Sequence, residues 1–150
     1  ISGNIAKKGK IIITLLNSLN NLSYYQKKYP KSLSREWVEE FIYPLFKENY
    51  KTEDILNTFC EHIGMQIGSV LNDKVAIFTG GGVFNKYLMS RILKYSKSKI
   101  FIPKKEIVNF KEALIFAFLA VLKTKNEINC LKSVTGAKKD SCVGEINNPL

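Results

Sequence analysis

The chain has 150 residues, 45% of them hydrophobic, enough for one domain with a real core. Its formal charge of +10 comes from 21 Lys and only two Arg, Arg35 and Arg91, spread along the sequence. Base-edge reading of nucleic acid leans on the planar Arg fork, so this composition argues against a nucleic-acid partner in spite of the charge.

In chain order, Gly3 to Gly9 reads as a polar turn. Leu15, Leu16, Leu19 and Leu22 then repeat at helical spacing. Ser23 to Ser34 is a Tyr- and Lys-rich connection containing Pro30. Ser34 is placed to cap a short helix carrying Trp37, Val38 and Phe41, which Pro44 disturbs. A long helix opens at the N-cap candidate Thr52, with Glu53 and Asp54 in its first turn. Its apolar positions run from Ile55 to Leu71 with a 3.6-residue period. Gly64 and Gly68 lie one turn apart on it, which predicts close approach of another element. Val75 to Phe78 predicts a short buried strand, followed by Thr79 and the triplet Gly80-Gly81-Gly82. Asn85 to Lys97 is helical, with Leu88, Met89, Ile92 and Leu93 on one face. Lys99 to Ile102 is a second short strand that Pro103 stops. Asn109 to Glu112 has the form of a capping box, opening a helix apolar on all sides through Leu122, with Phe116 and Phe118 in the core. The segment 123–150 is looser, with an edge strand at Cys142 to Ile146. The alternation predicts one α/β domain over 1–150, its helices covering a partly parallel sheet.

The strand, glycine triplet and helix form the feature richest in chemistry. Glycines at such a junction let backbone approach a ligand that a Cβ would exclude, and the amides of the next helix's first turn suit a phosphate. No GK[ST] follows, so it is not a P-loop, and GxGxxG is absent. The only histidine, His62, has no Ser or Cys partner in a catalytic pattern and is expected at a surface or edge. Asp54 reads as helix-start charge and Asp73 as a loop residue, and no aspartate follows an apolar strand as a catalytic base would. Glu112 reads as the capping-box carboxylate. Cys60, Cys130 and Cys142 contain no CxxC, which argues against a disulfide framework and a zinc site. Cys60 falls on a helix's apolar face as a small core residue. No metal site is expected. The ten-residue apolar run 113–122 is too short to span a bilayer, so neither a membrane partner nor a secretory route is expected, and the location is read as cytoplasmic. The absence of an initiator Met suggests a fragment of a longer protein.

Several stretches, in this order and at these separations, give the chain a specific resemblance. They are Gly3-Asn4-Ile5-Ala6 with Gly9, Leu15 to Leu22 leading to Tyr24-Tyr25, and Pro30 to Trp37. They continue with Thr79-Gly80-Gly81-Gly82 and Asn85, Glu112-Ala113-Leu114, and Ser133-Val134-Thr135-Gly136-Ala137. The chain resembles the C-terminal half of the anhydro-N-acetylmuramic acid kinase family. The resemblance implies the sugar kinase, Hsp70 and actin superfamily, in which two ribonuclease-H-like α/β lobes hold ATP and substrate in the cleft between them. This chain would be the C-terminal lobe of such an actin-like ATPase fold. Gly80, Gly81, Gly82 and Asn85 match the second-lobe turn that contacts the nucleotide. Lys31, Ser32, Glu36 and Glu112 are further candidate contacts. The family phosphorylates 1,6-anhydro-N-acetylmuramic acid while opening its anhydro ring, in recycling of the bacterial cell wall. ATP and Mg2+ are the implied cofactors, the metal held mainly by the nucleotide and the other lobe. The catalytic aspartate and first phosphate loop belong to the N-terminal lobe, so no catalytic residue is expected here and the fragment alone would be inactive. A homodimer is also implied. Ser34 departs from the family's usual glycine, and the C-terminal end lacks its usual glycine pair. The alternatives are a non-catalytic lobe of the same superfamily that binds nucleotide or a partner, and another sugar kinase.

Overall fold

The computed structural model describes residues 2–28, 31–71 and 75–147, so Pro30 and Asp73 lie outside the described residues. The chain divides into two compact units, Ile1–Pro103 and Lys104–Leu150. It is a mixture of helix and sheet, as the alternating pattern predicts.

The first unit is organised by a helix that the apolar periodicity foretells. Helices α1 (Asn4–Lys8), α2 (Ile13–Asn20), α3 (Ser23–Gln26) and α4 (Arg35–Phe41) precede it, and α5 spans Thr52–Val70. Strand β1 (Val75–Ile77), α6 (Lys86–Tyr95) and β2 (Lys99–Phe101) follow. Helix α5 packs against α1, α2 and α6. Gly64 and Gly68 explain the closeness of α6. A Cβ on Gly64 would come within 2.8 Å of the Arg91 backbone, and one on Gly68 within 2.7 Å of the Tyr95 backbone. The expected close neighbour is therefore α6. Its buried side chains are Met89 and Ile92, whereas Leu93 is exposed.

Two segments depart from their sequence patterns. Gly3 to Gly9 is not a polar turn but carries α1, because Asn57 on α5 donates from Nδ2 to the carbonyls of Ala6 (2.9 Å) and Gly9 (2.7 Å). Those bonds satisfy Gly9 O and add a second donor to Ala6 O, which already accepts from the Gly9 N–H at 3.2 Å. Thr52 is the first helical residue rather than the cap, and Lys51 holds the cap position. Ser34 does cap α4, its Oγ accepting from the Trp37 N–H at 3.3 Å, and Pro44 sits in a 3-10 turn over Tyr43–Leu45. The core of the unit gathers Leu15, Leu19 and Ile42, with Trp37, Val38 and Phe59 packed around them. Cys60 is buried, as its apolar position predicts.

Strands β1 and β2 pair in parallel, Val75 opposite Lys99 and Ile77 opposite Phe101, with α6 as the crossover. This is a small βαβ unit, the arrangement a parallel pair requires. The expectation of a buried strand fails: Val75 and Ile77 are each 67% exposed. A two-stranded sheet gives each strand one neighbour, and parallel strands are apolar throughout because they are built to be covered on both faces.

The second unit contains α7 (Lys105–Thr124), α8 (Lys132–Thr135) and an isolated antiparallel bridge between Cys130 and Ser141. Helix α7 starts four residues before the expected capping box, so Asn109 is interior and Glu112 is an exposed helical side chain, not a cap. Phe116 and Phe118 are 70% and 60% exposed, correcting their assignment to the core. The C-terminal segment is tied by Asn129, which accepts from Val143 N–H at 2.8 Å and donates to Val143 O at 3.0 Å. That side chain takes over the pairing of a strand, and no strand forms from Cys142 to Ile146.

Candidate functional site

The junction between β1 and α6 is built in three steps. Gly80 has φ +83°, a left-handed backbone that a side chain would strain. A 3-10 turn, Gly81–Phe84, follows, closed by Val83 N–H to Gly80 O at 3.2 Å and Asn85 N–H to Gly82 O at 3.0 Å. Only then does α6 begin. The sequence pattern starts the helix at Asn85 and gives no sign of the 3-10 turn that fills the space between it and Gly80. Asn85 is the N-cap of α6, its Oδ1 accepting from Leu88 N–H at 3.1 Å. That oxygen is committed to the helix, so the part of the side chain available to a ligand is Nδ2.

Gly81 and Gly82 differ from the other glycines of this unit. Their φ is not positive, and among the described residues no atom beyond their chain neighbours lies within 4 Å of where a Cβ would stand. Nothing among the described residues requires glycine at either place. Among the described residues neither N–H donates a backbone hydrogen bond, as befits the first residues of a helical turn. Two amides on open, side-chain-free backbone beyond the C-terminal end of a parallel strand make this turn the candidate site. In open α/β sheets that end is where ligands bind.

The junction is braced from two sides. Ser2 O accepts from Tyr87 N–H at 3.3 Å, and a side chain on Gly3 would overlap Asn85 and Tyr87. On the other side Glu61 of α5, 2% exposed, accepts from Lys94 Nζ at 2.6 Å, Tyr95 Oη at 2.5 Å and Arg91 Nη1 at 3.3 Å. Burial pushes the Glu61 carboxyl up, but the bonds from Lys94, Tyr95 and Arg91 outweigh it and hold the group below the usual range. The same bond raises Lys94. Removing one partner of a buried ion pair strands the other's charge, so this clamp fixes α6, and with it the glycine turn, on α5. Its sequence signal was legible in principle: Glu61 precedes Gly64 by one turn on the face the glycines mark as packed.

His62 is not at a surface or edge. It is 1% exposed, with Nδ1 2.7 Å from Asn20 Oδ1 and Nε2 2.9 Å from Tyr25 Oη. Asn20 Oδ1 also accepts from Gln66 Nε2 at 3.1 Å, which makes it an acceptor and assigns the His62 proton to Nδ1. Tyr25 then donates to Nε2. Burial pulls the imidazole down to about 4, so the ring is neutral at pH 7. Its partners span α2 and α3, so it is a joint between helices. The apolar period of α5 hid it, since His62 adjoins a face that the pattern reads as boundary.

Among the other sequence candidates, Lys31 lies over the Tyr24 ring at 5.0 Å, and Tyr24 and Tyr25 pack on Trp37. Ser32 and Glu36 are exposed. Glu36 is held below its usual range by its own backbone N–H and the Ser34 hydroxyl, a helix-start arrangement. Lys31, Ser32 and Glu36 are thus carried by α4 and the segment before it, whereas Gly80, Gly81, Gly82 and Asn85 form one turn. Glu112 belongs to the second unit. All three cysteines are free.

A parallel strand pair, an open glycine turn and a capped helix define an α/β protein with a candidate site at the strand end. The model of the anhydro-N-acetylmuramic acid kinase family matches residues 2–149, and the chain belongs to that family. Similar relatives carry the same description. One from Francisella tularensis subsp. novicida is 32% identical over 97% of this chain and 42% of its own length. One from Bacillus cereus strain Q1 is 34% identical over 99% of this chain and 43% of its own, and one from Sulfurovum is 28% identical over 97% and 42%. The chain therefore spans about two fifths of the length of the curated relatives it matches.

Proposed function

We propose that this chain is the nucleotide-side lobe of a kinase that phosphorylates 1,6-anhydro-N-acetylmuramic acid with opening of the anhydro ring. In this reading the fold is the C-terminal lobe of a ribonuclease-H-like pair, and both units, including the 123–150 segment, belong to it. Support comes from the family match and from one structural observation: Gly81 and Gly82 are glycines that this chain's own packing and backbone angles do not call for. A ligand lying directly on that backbone supplies the missing reason.

ATP would supply the phosphoryl group, and Mg2+, held mainly by the nucleotide and the other lobe, would offset its charge. The roles of this chain's residues are binding and orientation. The N–H groups of Gly81 and Gly82 donate to the nucleotide, Asn85 Nδ2 adds a third donor, and the positive end of α6 favours nearby phosphate. The Glu61 clamp holds these donors still, which lowers the entropy cost of positioning. Lys31, Ser32, Glu36 and Glu112 remain candidate contacts of the assembled protein. The base that activates the nucleophile is assigned to the other lobe, and this chain alone is inactive.

The test uses the complete protein carrying Gly81→Ala or Gly82→Ala. Both variants should fold within about 0.5 kcal/mol of the parent, because open space and ordinary backbone angles accept a methyl group. The KM for ATP should rise about tenfold or more with the KM for sugar little changed. Unchanged ATP kinetics in both variants would remove the assignment.

A further inference from the structure

A cavity of about 270 Å³ lies between the start of α1 and the outer face of α6. Its lining includes Ser2, Lys7, Lys86, Tyr87, Ser90 and Arg91. Three of these carry a positive charge, three carry hydroxyls, and among the described residues no carboxylate lines it. That is an unusual lining even for a basic chain, since like charges gathered in a concave space repel one another unless something negative is shared.

Arg91 is the pre-organised member. Its Nη1 is tied to buried Glu61 at 3.3 Å, and its guanidinium lies over the Tyr87 ring at 5.0 Å. The side chain is thereby held at the cavity wall rather than left to roam in solvent. One carboxylate, Glu61, already answers to both Arg91 and Lys94, so Lys7 and Lys86 bring charge that Glu61's recorded bonds do not take up. Two ammonium groups and the guanidinium N–H groups not turned to Glu61 form a donor set that a carboxylate or phosphate group takes, whereas the Ser2 and Ser90 hydroxyls donate to Asn4 Oδ1 at 2.8 Å and Tyr87 O at 2.7 Å.

We propose that this cavity is a binding site for the oxyanion group, phosphate or carboxylate, of a small ligand. It is separate from the glycine turn. Its lining comes from Ser2 to Lys7 and from Lys86 to Arg91, and none of Gly80, Gly81, Gly82 or Asn85 is part of it. The inference does not depend on the nucleotide reading, and the two can fail independently.

The test is an isotope-labelled titration of this chain with inorganic phosphate and, separately, acetate, both at constant ionic strength. The amides of Asn4, Tyr87 and Ser90 and the Arg91 Nε–H are followed. The expected result is saturable shifts there with at least one anion, and the anion that saturates at lower concentration identifies the headgroup. Lys7→Gln combined with Lys86→Gln changes only exposed side chains, so it preserves the fold, and it should weaken that affinity about tenfold. Shifts that stay linear to about 50 mM with both anions, or an affinity the double variant leaves unchanged, would overturn the proposal.

Discussion

His62 shows how much a single buried side chain can govern. Its folded-state pKa of about 4 lies below the ordinary 6.5, so the unfolded chain binds the extra proton across that window. The stability it confers is complete above pH 6.5 and is lost as pH falls toward 4. A difference of that size corresponds to about 3 kcal/mol. Urea unfolding at pH 7, 5.5 and 4.5 should show this decline, and His62→Gln should flatten it between pH 6.5 and 4.5. A parent protein equally stable at pH 7 and 4.5 would contradict the buried, neutral assignment. Glu61 acts in the same direction at lower pH, because its depressed pKa means stability is lost when it is finally protonated. The role of His62 is not visible in the sequence. Periodicity reports which face is apolar, but not that a polar residue on the boundary finds partners from elements forty residues away.

At the scale of elements the sequence was most informative where a local rule had no competitor. Gly64 and Gly68 predicted a close neighbour because a glycine cost inside a helix needs a reason, and α6 is that neighbour. Gly64→Ala should destabilise the fold by about 2 kcal/mol, since backbone rather than a flexible side-chain end blocks the new methyl. Thermal unfolding reads the loss, and a stabilised variant would mean α5 and α6 are not in contact. Rules failed where a tertiary bond outbid a local preference. Asn57 made a helix of a glycine-flanked segment that reads as a turn. The capping-box pattern at Asn109 was overridden by a helix already running from Lys105. The site turn was legible as strand, glycines and helix. The inserted 3-10 turn and the use of Asn85 Oδ1 as a cap were not, because both depend on backbone angles that glycine leaves open.

For the molecule as a whole, the notable fact is where the apolar side chains lie. Val75 and Ile77 on β1 are exposed, and in the other unit so are Phe110, Leu114, Phe116 and Phe118 on α7. Large apolar side chains exposed on each unit mark contact surfaces. The sequence pattern assigned Val75, Ile77, Phe116 and Phe118 to buried positions, but burial depends on what else is present to cover them. The chain on its own should therefore self-associate. Sedimentation velocity across a concentration series should show a rising weight-average mass, and a clean monomer at high concentration would refute this.

The most direct test of the central claim, that the glycine turn is a nucleotide contact, is an isotope-labelled titration of the chain with Mg-ATP. The account predicts saturable shifts centred on the amides of Gly80, Gly81, Gly82 and Asn85, with the α5 amides unmoved. A well-dispersed spectrum in which those four amides do not respond, or in which the saturable shifts fall elsewhere, would contradict it.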